Sequence, residues 1–120
     1  MPYTATVPTR YLGSHYRDSS GVRLLTDAVS APDIGAWREG KALSGSGTPP
    51  AYGTAIAIFK NGRFPSPGDP DLHCALYLEQ NNIGIEVIDV GDDGTVGRTT
   101  IQWTANATEF SAEQFATVEW

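Results

Sequence analysis

Apolar segments separated by turn residues, in the second half of the chain, restrict its fold more than any other feature. The first, Thr54–Phe59, is a continuous apolar run, which is typical of a strand buried on both faces. Further strands are predicted at Leu72–Leu78, Ile83–Val90 and Arg98–Trp103, because residues that favour turns stand between these segments. Their order predicts an antiparallel β-meander.

One helix is predicted ahead of these strands. Val22, Leu25 and Val29 recur at the i, i+3 and i+7 positions that form one face of an α-helix. Pro32 lacks the backbone N–H that a helix interior requires, so we place the helix at Gly21–Val29. The expected fold is therefore α+β, with an N-terminal helix packed on the antiparallel β-meander.

The length and charge of the chain limit what it can do. Its 120 residues fit a single domain that buries a hydrophobic core, and 40% of them are apolar. The net charge of −6 repels phosphate backbones and anionic lipids, so nucleic acid is a poor partner. No segment is apolar over the length of a membrane span. One cysteine and two histidines are too few for an internal disulfide or a typical metal site, so neither metal nor cofactor is expected.

The two ends of the chain carry different signals. The N-terminus shows neither the basic nor the apolar region of a secretory signal peptide, so we expect synthesis in the cytoplasm without such a signal. We place one domain at residues 1–103 and an extension at Thr104–Trp120, which mixes three acidic residues with the aromatic residues Phe110, Phe115 and Trp120. This extension either docks on a partner or completes the core as a final strand or helix.

His73 is the first candidate for chemistry, because a histidine is unusual in an apolar strand. It is either a satisfied core residue or a general base, and a base needs a nucleophile within hydrogen-bond reach. Since successive side chains of a strand point to opposite faces, we expect Cys74 to turn away from His73 as a small buried hydrophobe. Asp89, on the next strand, either orients the imidazole or begins a turn. Ser20, at the helix start, is expected to be an N-cap.

Seven short segments are informative as a set, in the order in which they occur. They are Met1–Tyr3, Gly13–Tyr16, Trp37–Gly40, Gly53–Ala57, Asn61–Pro65, His73–Leu78 and Gly84–Asp89. Together they resemble a small family of bacterial and phage proteins on the papain-like NlpC/CHAP plan. That superfamily contains peptidoglycan amidases and endopeptidases, including toxins that bacteria deliver to rivals. The resemblance covers roughly residues 1–103 and implies the same type of fold.

The resemblance also assigns roles to residues. In that family a cysteine at the N-terminus of the first helix attacks an amide, and the matching position here is Gly21. His73 matches the family histidine. After Asp89 the family commonly continues with glutamine and tryptophan, whereas Val90 and Gly91 follow here. The resemblance therefore implies a degenerate site, in which His73 and Asp89 are remnants and the nucleophile is missing.

These observations lead to one main hypothesis and two alternatives. The main hypothesis is a non-catalytic interaction or structural protein, a pseudoenzyme with a role in assembly, for which a phage particle (virion) is the expected setting. Its partner would be another protein or a second copy of the chain, and the binding candidates are Ser20, Trp37, Phe110, Phe115 and Trp120. The first alternative is a surviving peptidoglycan amidase or endopeptidase, a cell-wall hydrolase or delivered toxin, that uses Ser20 or Cys74. The second is a module that binds cell-wall peptides.

Overall fold

A computed structural model of the chain describes residues 3–17, 20–44, 49–60, 63–64, 73–104 and 111–119. These residues form one α-helix and six β-strands: α1 Val22–Val29, β1 Arg38–Ala42, β2 Ala55–Ile58, β3 Cys74–Gln80, β4 Gly84–Val90, β5 Val96–Gln102 and β6 Phe115–Glu119. The strands form one antiparallel sheet in the order β1-β6-β2-β3-β4-β5. The predicted α+β class is confirmed. Within the described ranges, no helix combines the length and the apolar composition needed to span a membrane.

Strands β2 to β5 form the predicted meander, and each pairs antiparallel with the next. The turn between β3 and β4 is held by Asn81, whose Oδ1 accepts hydrogen bonds from the N–H groups of Ile83 and Gly84 at 2.8 and 3.1 Å. The turn between β4 and β5 contains Gly94 at a φ of +85°, a backbone conformation that favours glycine. The turn residues in the sequence therefore predicted these strands correctly, although the first and last residues of the strands differ slightly from the predicted ones.

Strand β1 is the element that the sequence pattern does not predict. Its side chains are mostly exposed and none is large and apolar, so they show no alternation between two faces. The strand exists because its backbone pairs with β6, where Glu39 stands opposite Val118. The Lys41 N–H also donates a hydrogen bond to the Thr117 hydroxyl at 2.9 Å. Charged side chains on this edge strand disfavour pairing with a further strand.

The C-terminal segment lies inside the sheet. Strand β6 pairs with β1 on one side and with β2 on the other, where Phe115 stands opposite Ile58 and Ala116 opposite Ala57. For Phe115–Glu119 this agrees with the alternative in which the C-terminal segment adds a final strand to the core. A docking arm that can be removed from a folded domain is not compatible with this position, because the loss of β6 would leave two strands without their backbone partners.

The sheet carries a hydrophobic cluster on each face. Leu24 and Leu25 of α1 are fully buried in the first cluster, together with Cys74 and Leu76 of β3. Helix α1 begins one residue later than predicted and ends at Val29, as predicted, and Ser30 follows as the C-cap at a φ of +56°. The second cluster, on the other face, contains the remaining apolar side chains of the strands, among them Ile56, Ile58, Ala75, Tyr77, Ile85 and Phe115.

Tyr16 ties the N-terminal segment to α1 and makes one measurable prediction. Its hydroxyl donates a hydrogen bond to Asp27 Oδ2 at 2.7 Å. Burial, and then the hydrogen bond to Asp27, raise the pKa of Tyr16 from 10.0 to about 12. Because the folded pKa is raised, the hydroxyl stabilises the fold fully below about pH 10, and this contribution is lost as the pH rises through about 12.

We therefore expect the stability difference between the wild type and Tyr16→Phe to stay constant up to about pH 10 and to shrink at higher pH. Urea unfolding at a series of pH values measures this difference. Tyr52→Phe is the matched control, because Tyr52 is an exposed tyrosine. A Tyr16→Phe difference that does not change between pH 8 and 12 would contradict the assigned hydrogen bond.

Candidate functional site

His73 and Asp89 form a buried pair at one end of the sheet. His73 immediately precedes β3 and Asp89 lies on β4, and each is 7% exposed. The imidazole Nε2 lies 3.0 Å from Asp89 Oδ2. The His73 ring also meets the edge of Phe115 from the second cluster, with ring centroids 6.2 Å apart. The structure thus brings together the two residues that the sequence singled out on different strands.

The Asp89 contact sets which nitrogen of the imidazole carries the proton. An ionised carboxylate only accepts hydrogen bonds, so Nε2 donates its hydrogen to Asp89. In the neutral ring the other nitrogen, Nδ1, then has the lone pair that can accept a proton. A histidine held in this way has the orientation and the tautomer of a general base.

Thr99 extends this pair into a chain of three side chains. Its hydroxyl donates a hydrogen bond to Asp89 Oδ1 at 2.9 Å, so both carboxylate oxygens have a partner. The sequence analysis missed Thr99. The register of the β4–β5 hairpin is what brings Thr99 to the site. Asp89 stands opposite Gly97, and Val87 stands opposite Thr99. Thr99 therefore lies diagonally beside Asp89 on the same face of the sheet.

We expect Thr99→Val to reduce the rate of any reaction that uses His73 by about 3- to 10-fold, because one hydrogen bond that holds the carboxylate is lost. The fold should be unaffected, since Thr99 is exposed on β5. Thr100→Val is the matched control, because that side chain points to the opposite face of the same strand. Equal rates for the two variants, measured with their melting temperatures, would show that Thr99 does not position Asp89.

Gly21, the position that matches the family nucleophile, has no room for a side chain. It precedes α1 with a φ of +94°. A Cβ atom at this position would lie 2.2 Å from the carbonyl oxygen of Cys74 and 3.2 Å from its Sγ. The position is therefore closed by the backbone of β3, and no atom of Gly21 can attack a substrate.

Cys74 is not arranged to replace that nucleophile. It is 0% exposed and belongs to the first cluster, on the face that α1 covers, whereas the His73 ring contacts the second cluster. Its Sγ donates a hydrogen bond to the Ser20 carbonyl oxygen at 3.4 Å, so the sulfur keeps its proton. The prediction that Cys74 is a small buried hydrophobe turned away from His73 is confirmed.

Ser20 lies where the start of α1 meets the start of β3. Its carbonyl oxygen accepts a hydrogen bond from the Cys74 N–H at 2.8 Å, which fixes Ser20 beside the His73–Cys74 peptide. Its Oγ accepts a hydrogen bond from the Val22 N–H at 3.3 Å. The prediction that Ser20 is the N-cap is wrong, because the N-cap position of α1 is Gly21 and no side chain caps the helix there. Ser20 is 5% exposed and is buried, as His73 and Asp89 are.

The two aromatic candidates for partner binding that the structure describes, Trp37 and Phe115, are buried. Trp37 is 4% exposed, donates its Nε1–H to the Pro32 carbonyl oxygen at 3.0 Å and packs against Phe64. Phe115 is 1% exposed, because it is the first residue of the interior strand β6. Neither side chain is available to a partner of the folded domain. Phe110 and Trp120 lie outside the described residues.

The described residues contain no group of three or more histidine, cysteine, aspartate or glutamate side chains arranged to hold a metal ion. The chemistry that the described site offers is proton transfer by a histidine that a carboxylate orients, next to the N-terminus of a helix. Proton transfer of this kind activates hydroxyl or thiol nucleophiles in acyl-transfer reactions.

Comparison with known proteins gives three consistent matches. The family model described as domesticated amidase effector 2 matches residues 3–118, a range that includes α1, β1 to β5 and all of β6 except Glu119. A type VI secretion amidase effector 2 protein of Salmonella typhi is 32% identical over 98 residues, which cover 78% of this chain and 70% of the relative. The solved structure of type 6 secretion amidase effector 2 has a TM-score of 0.80 and 24% identity, and the match covers 98% of this chain and 94% of that chain. At 24% identity, this structural match shows that the two proteins share a fold.

These matches correct the main hypothesis from the sequence. A non-catalytic structural protein of a phage particle is wrong, because the matching family and the curated relative are amidase effectors. The pseudoenzyme interpretation is overturned by the same findings, and they favour the amidase alternative. The Gly21 position nevertheless holds no side chain that could attack a substrate.

Proposed function

Because the chain belongs to the domesticated amidase effector 2 family, we propose that it is an amidase that hydrolyses an amide bond in the peptide part of peptidoglycan. We propose further that it is a delivered effector, a toxin that a type VI secretion system carries to another bacterium, as the name of the Salmonella typhi relative indicates for that protein. The substrate follows from the resemblance to the NlpC/CHAP superfamily, whose members act on peptidoglycan.

The observation that carries this proposal is the hydrogen bond of 3.0 Å between His73 Nε2 and Asp89 Oδ2. Amide hydrolysis needs a base that takes a proton from the attacking group and an acid that gives a proton to the leaving nitrogen. One histidine does both in turn, provided that it is held in one orientation throughout. Asp89 supplies that orientation and stabilises the imidazolium that forms between the two steps.

The papain-like plan fits this proposal. In that plan a helix presents its N-terminus to a histidine at the start of a strand, and a polar residue on the next strand holds the histidine. Here α1 begins beside the start of β3, as the hydrogen bond from Cys74 to Ser20 shows, and Asp89 on β4 holds His73. The partial positive charge at the N-terminus of α1 favours the negative charge that develops when an amide carbonyl is attacked.

Purified protein incubated with peptidoglycan sacculi tests the proposal. We expect the wild type to release soluble muropeptide fragments with new amino groups, which mass spectrometry and amine labelling detect. His73→Ala should reduce the release by at least about 10³-fold, because the base is lost. His15→Ala is the matched control, since that histidine is exposed and its Nε2 hydrogen-bonds to the Asp93 carbonyl oxygen instead of to Asp89.

Two results would refute the proposal. One is a wild-type protein that is folded by circular dichroism and releases no fragments. The other is a His73→Ala protein that is as active as His15→Ala. A protein that binds sacculi without cleaving them would instead support the alternative of a cell-wall peptide binding module.

A further inference from the structure

We propose that a cleft on the face of the sheet that carries the second cluster binds a sugar ring of the peptidoglycan glycan strand, with Trp103 as its platform. The inference rests on the proposed amidase function, because it assigns a place to the part of the substrate that does not react. The cleft has a volume of about 270 Å³, and the described residues that line it are Leu43, Ser44, Gln80, Trp103 and Glu113. Pockets for drug-sized ligands begin at about 300 Å³, so this cleft suits a single ring.

Trp103 is held in place at the end of β5. Its backbone N–H donates a hydrogen bond to the Ile83 carbonyl oxygen at 3.1 Å, and its Nε1–H donates one to the Asn81 carbonyl oxygen at 2.7 Å. The side chain is half-buried and packs against the second cluster. Since the one polar group of the indole is already engaged, the ring offers a ligand its apolar surface.

The cleft also contains polar groups that can bind hydroxyl groups. Gln80 Oε1 accepts a hydrogen bond from the Tyr77 hydroxyl at 2.8 Å, which leaves the NH₂ group of Gln80 as a donor. Glu113 and Ser44 are exposed. The carboxylate of Glu113 accepts hydrogen bonds, and the hydroxyl of Ser44 both donates and accepts them.

The chemistry of this lining favours a neutral, hydroxylated ring. A pyranose has a face of C–H groups that packs on an indole, because the π face of an aromatic ring carries partial negative charge. None of the described residues that line the cleft is basic, so a carboxylate or phosphate group would meet no opposite charge there. The stem peptides of peptidoglycan carry carboxylates, whereas N-acetylglucosamine in the glycan strand is neutral. The cleft therefore fits the sugar part of the substrate better than the peptide part.

Strand β5 connects this cleft to the buried pair of His73 and Asp89. Thr99 donates a hydrogen bond to Asp89 Oδ1 at 2.9 Å, and Ile101 and Trp103 follow Thr99 at intervals of two residues, on the same face of the sheet. Four residues along a strand correspond to about 13 Å. An extended stem peptide of about four residues spans the same distance. A sugar bound at Trp103 would thus allow the peptide attached to it to reach the pair.

Glu113 connects the cleft to the pair by a second route. It belongs to the short 3₁₀ helix Ala112–Gln114, which leads directly into β6. Phe115, the first residue of β6, meets the His73 ring with the ring centroids 6.2 Å apart. The chain from Glu113 to Phe115 extends over at most about 7 Å. The cleft is therefore close enough to the pair for one substrate molecule to occupy both.

Kinetics with two matched substrates test the subsite. Both contain the same cross-linked stem peptides, and only the first retains its disaccharides. We expect Trp103→Leu to raise KM about 10-fold for the first substrate and to leave KM for the second unchanged. The value of kcat should stay within about twofold for both, because the contact is remote from the reacting bond. Tyr52→Leu is the matched control, since Tyr52 is an exposed aromatic residue outside the cleft.

Glu113→Ala is a second variant, in case Trp103→Leu does not fold. It should raise KM about 3-fold for the substrate with disaccharides only, because one hydrogen bond to a hydroxyl group is lost. Glu39→Ala is its matched control, since Glu39 is an exposed acidic residue on β1 outside the cleft.

Titration of the wild type with a β-1,4-linked tetramer of N-acetylglucosamine tests binding without hydrolysis. We expect the indole N–H resonance of Trp103 to shift and to saturate, and the Glu113→Ala protein to need about 3-fold more tetramer for the same shift. Trp37 is the internal control, because it is 4% exposed and its resonance should not move.

Two results would overturn the inference and leave the amidase proposal intact. One is an unchanged KM for the substrate with disaccharides in folded Trp103→Leu or, if that protein does not fold, in Glu113→Ala. The other is a Trp103 resonance that the tetramer does not shift. A wild type that hydrolyses neither substrate would refute the amidase proposal, and the titration would then decide the sugar subsite alone.

Discussion

Asp89→Asn is expected to lower kcat/KM for amide hydrolysis by about three to four orders of magnitude while leaving the protein folded. The amide that replaces the carboxylate has an NH₂ group that can donate to His73 Nε2, which would move the ring hydrogen to Nδ1 and remove the lone pair that accepts the nucleophile's proton. The imidazolium would also lose the negative charge that stabilises it. The effect on the rate is large because orientation, tautomer and charge change together.

Asp92→Asn is the matched control for this prediction. It makes the same change of charge three residues away, in the exposed turn between β4 and β5, and should leave kcat/KM within a factor of about two, as for most surface substitutions. Sacculus digestion and melting temperatures of both variants are the measurements required. Equal activity of the two variants would show that Asp89 has only a structural role.

Gly21→Ala should destabilise the fold by about 3 kcal/mol. The φ of +94° is unfavourable for every residue with a Cβ. The added Cβ would also lie 2.2 Å from the Cys74 carbonyl oxygen, which is backbone and cannot turn away. The start of α1 would have to move off β3, and the Ser20 contact with Cys74 would be strained.

Gly13→Ala separates these two causes. Gly13 has a similar φ of +84°, but nothing lies within 4 Å of the place where its Cβ would stand. We therefore expect a loss of about 1 to 2 kcal/mol for Gly13→Ala, from the backbone conformation alone. Urea unfolding of both variants measures the difference. If Gly21→Ala costs no more than Gly13→Ala, the close approach of α1 to β3 at this point is not rigid.

The same geometry bears on Gly21→Cys, which in sequence alone looks like the restoration of the family nucleophile. A cysteine at this position would meet the same carbonyl oxygen as an alanine, so we expect Gly21→Cys to be destabilised and not to gain activity through the new thiol. The closure of this position is set by how the start of α1 packs against β3.

The sequence by itself determined the secondary-structure elements that depend on residues close together in the chain. Turn residues and apolar runs located the strands from β2 to β5, and the apolar face around Leu25 located α1, because these signals act over a few residues. The alternation of side chains along a strand was enough to predict that His73 and Cys74 point to opposite faces of the sheet, since successive residues of a strand do so. His73 was singled out because a histidine is unusual in an apolar strand, and the resemblance to amidases matched it to the family histidine. The resemblance led to the wrong function when the missing cysteine was taken to mean that the chain is not catalytic.

Contacts between residues far apart in the chain were decided only by the tertiary structure. The aromatic residues of the C-terminus looked like a docking surface until β6 was found between β1 and β2, where backbone pairing buries Phe115. Thr99 joined Asp89 through a register that only the folded hairpin defines. The closeness of Gly21 and Ser20 to Cys74 spans more than fifty residues, and no local pattern encodes it. Side-chain periodicity is a property of a segment, whereas the space at Gly21 and the neighbours of Ser20 are set by how α1 packs against β3.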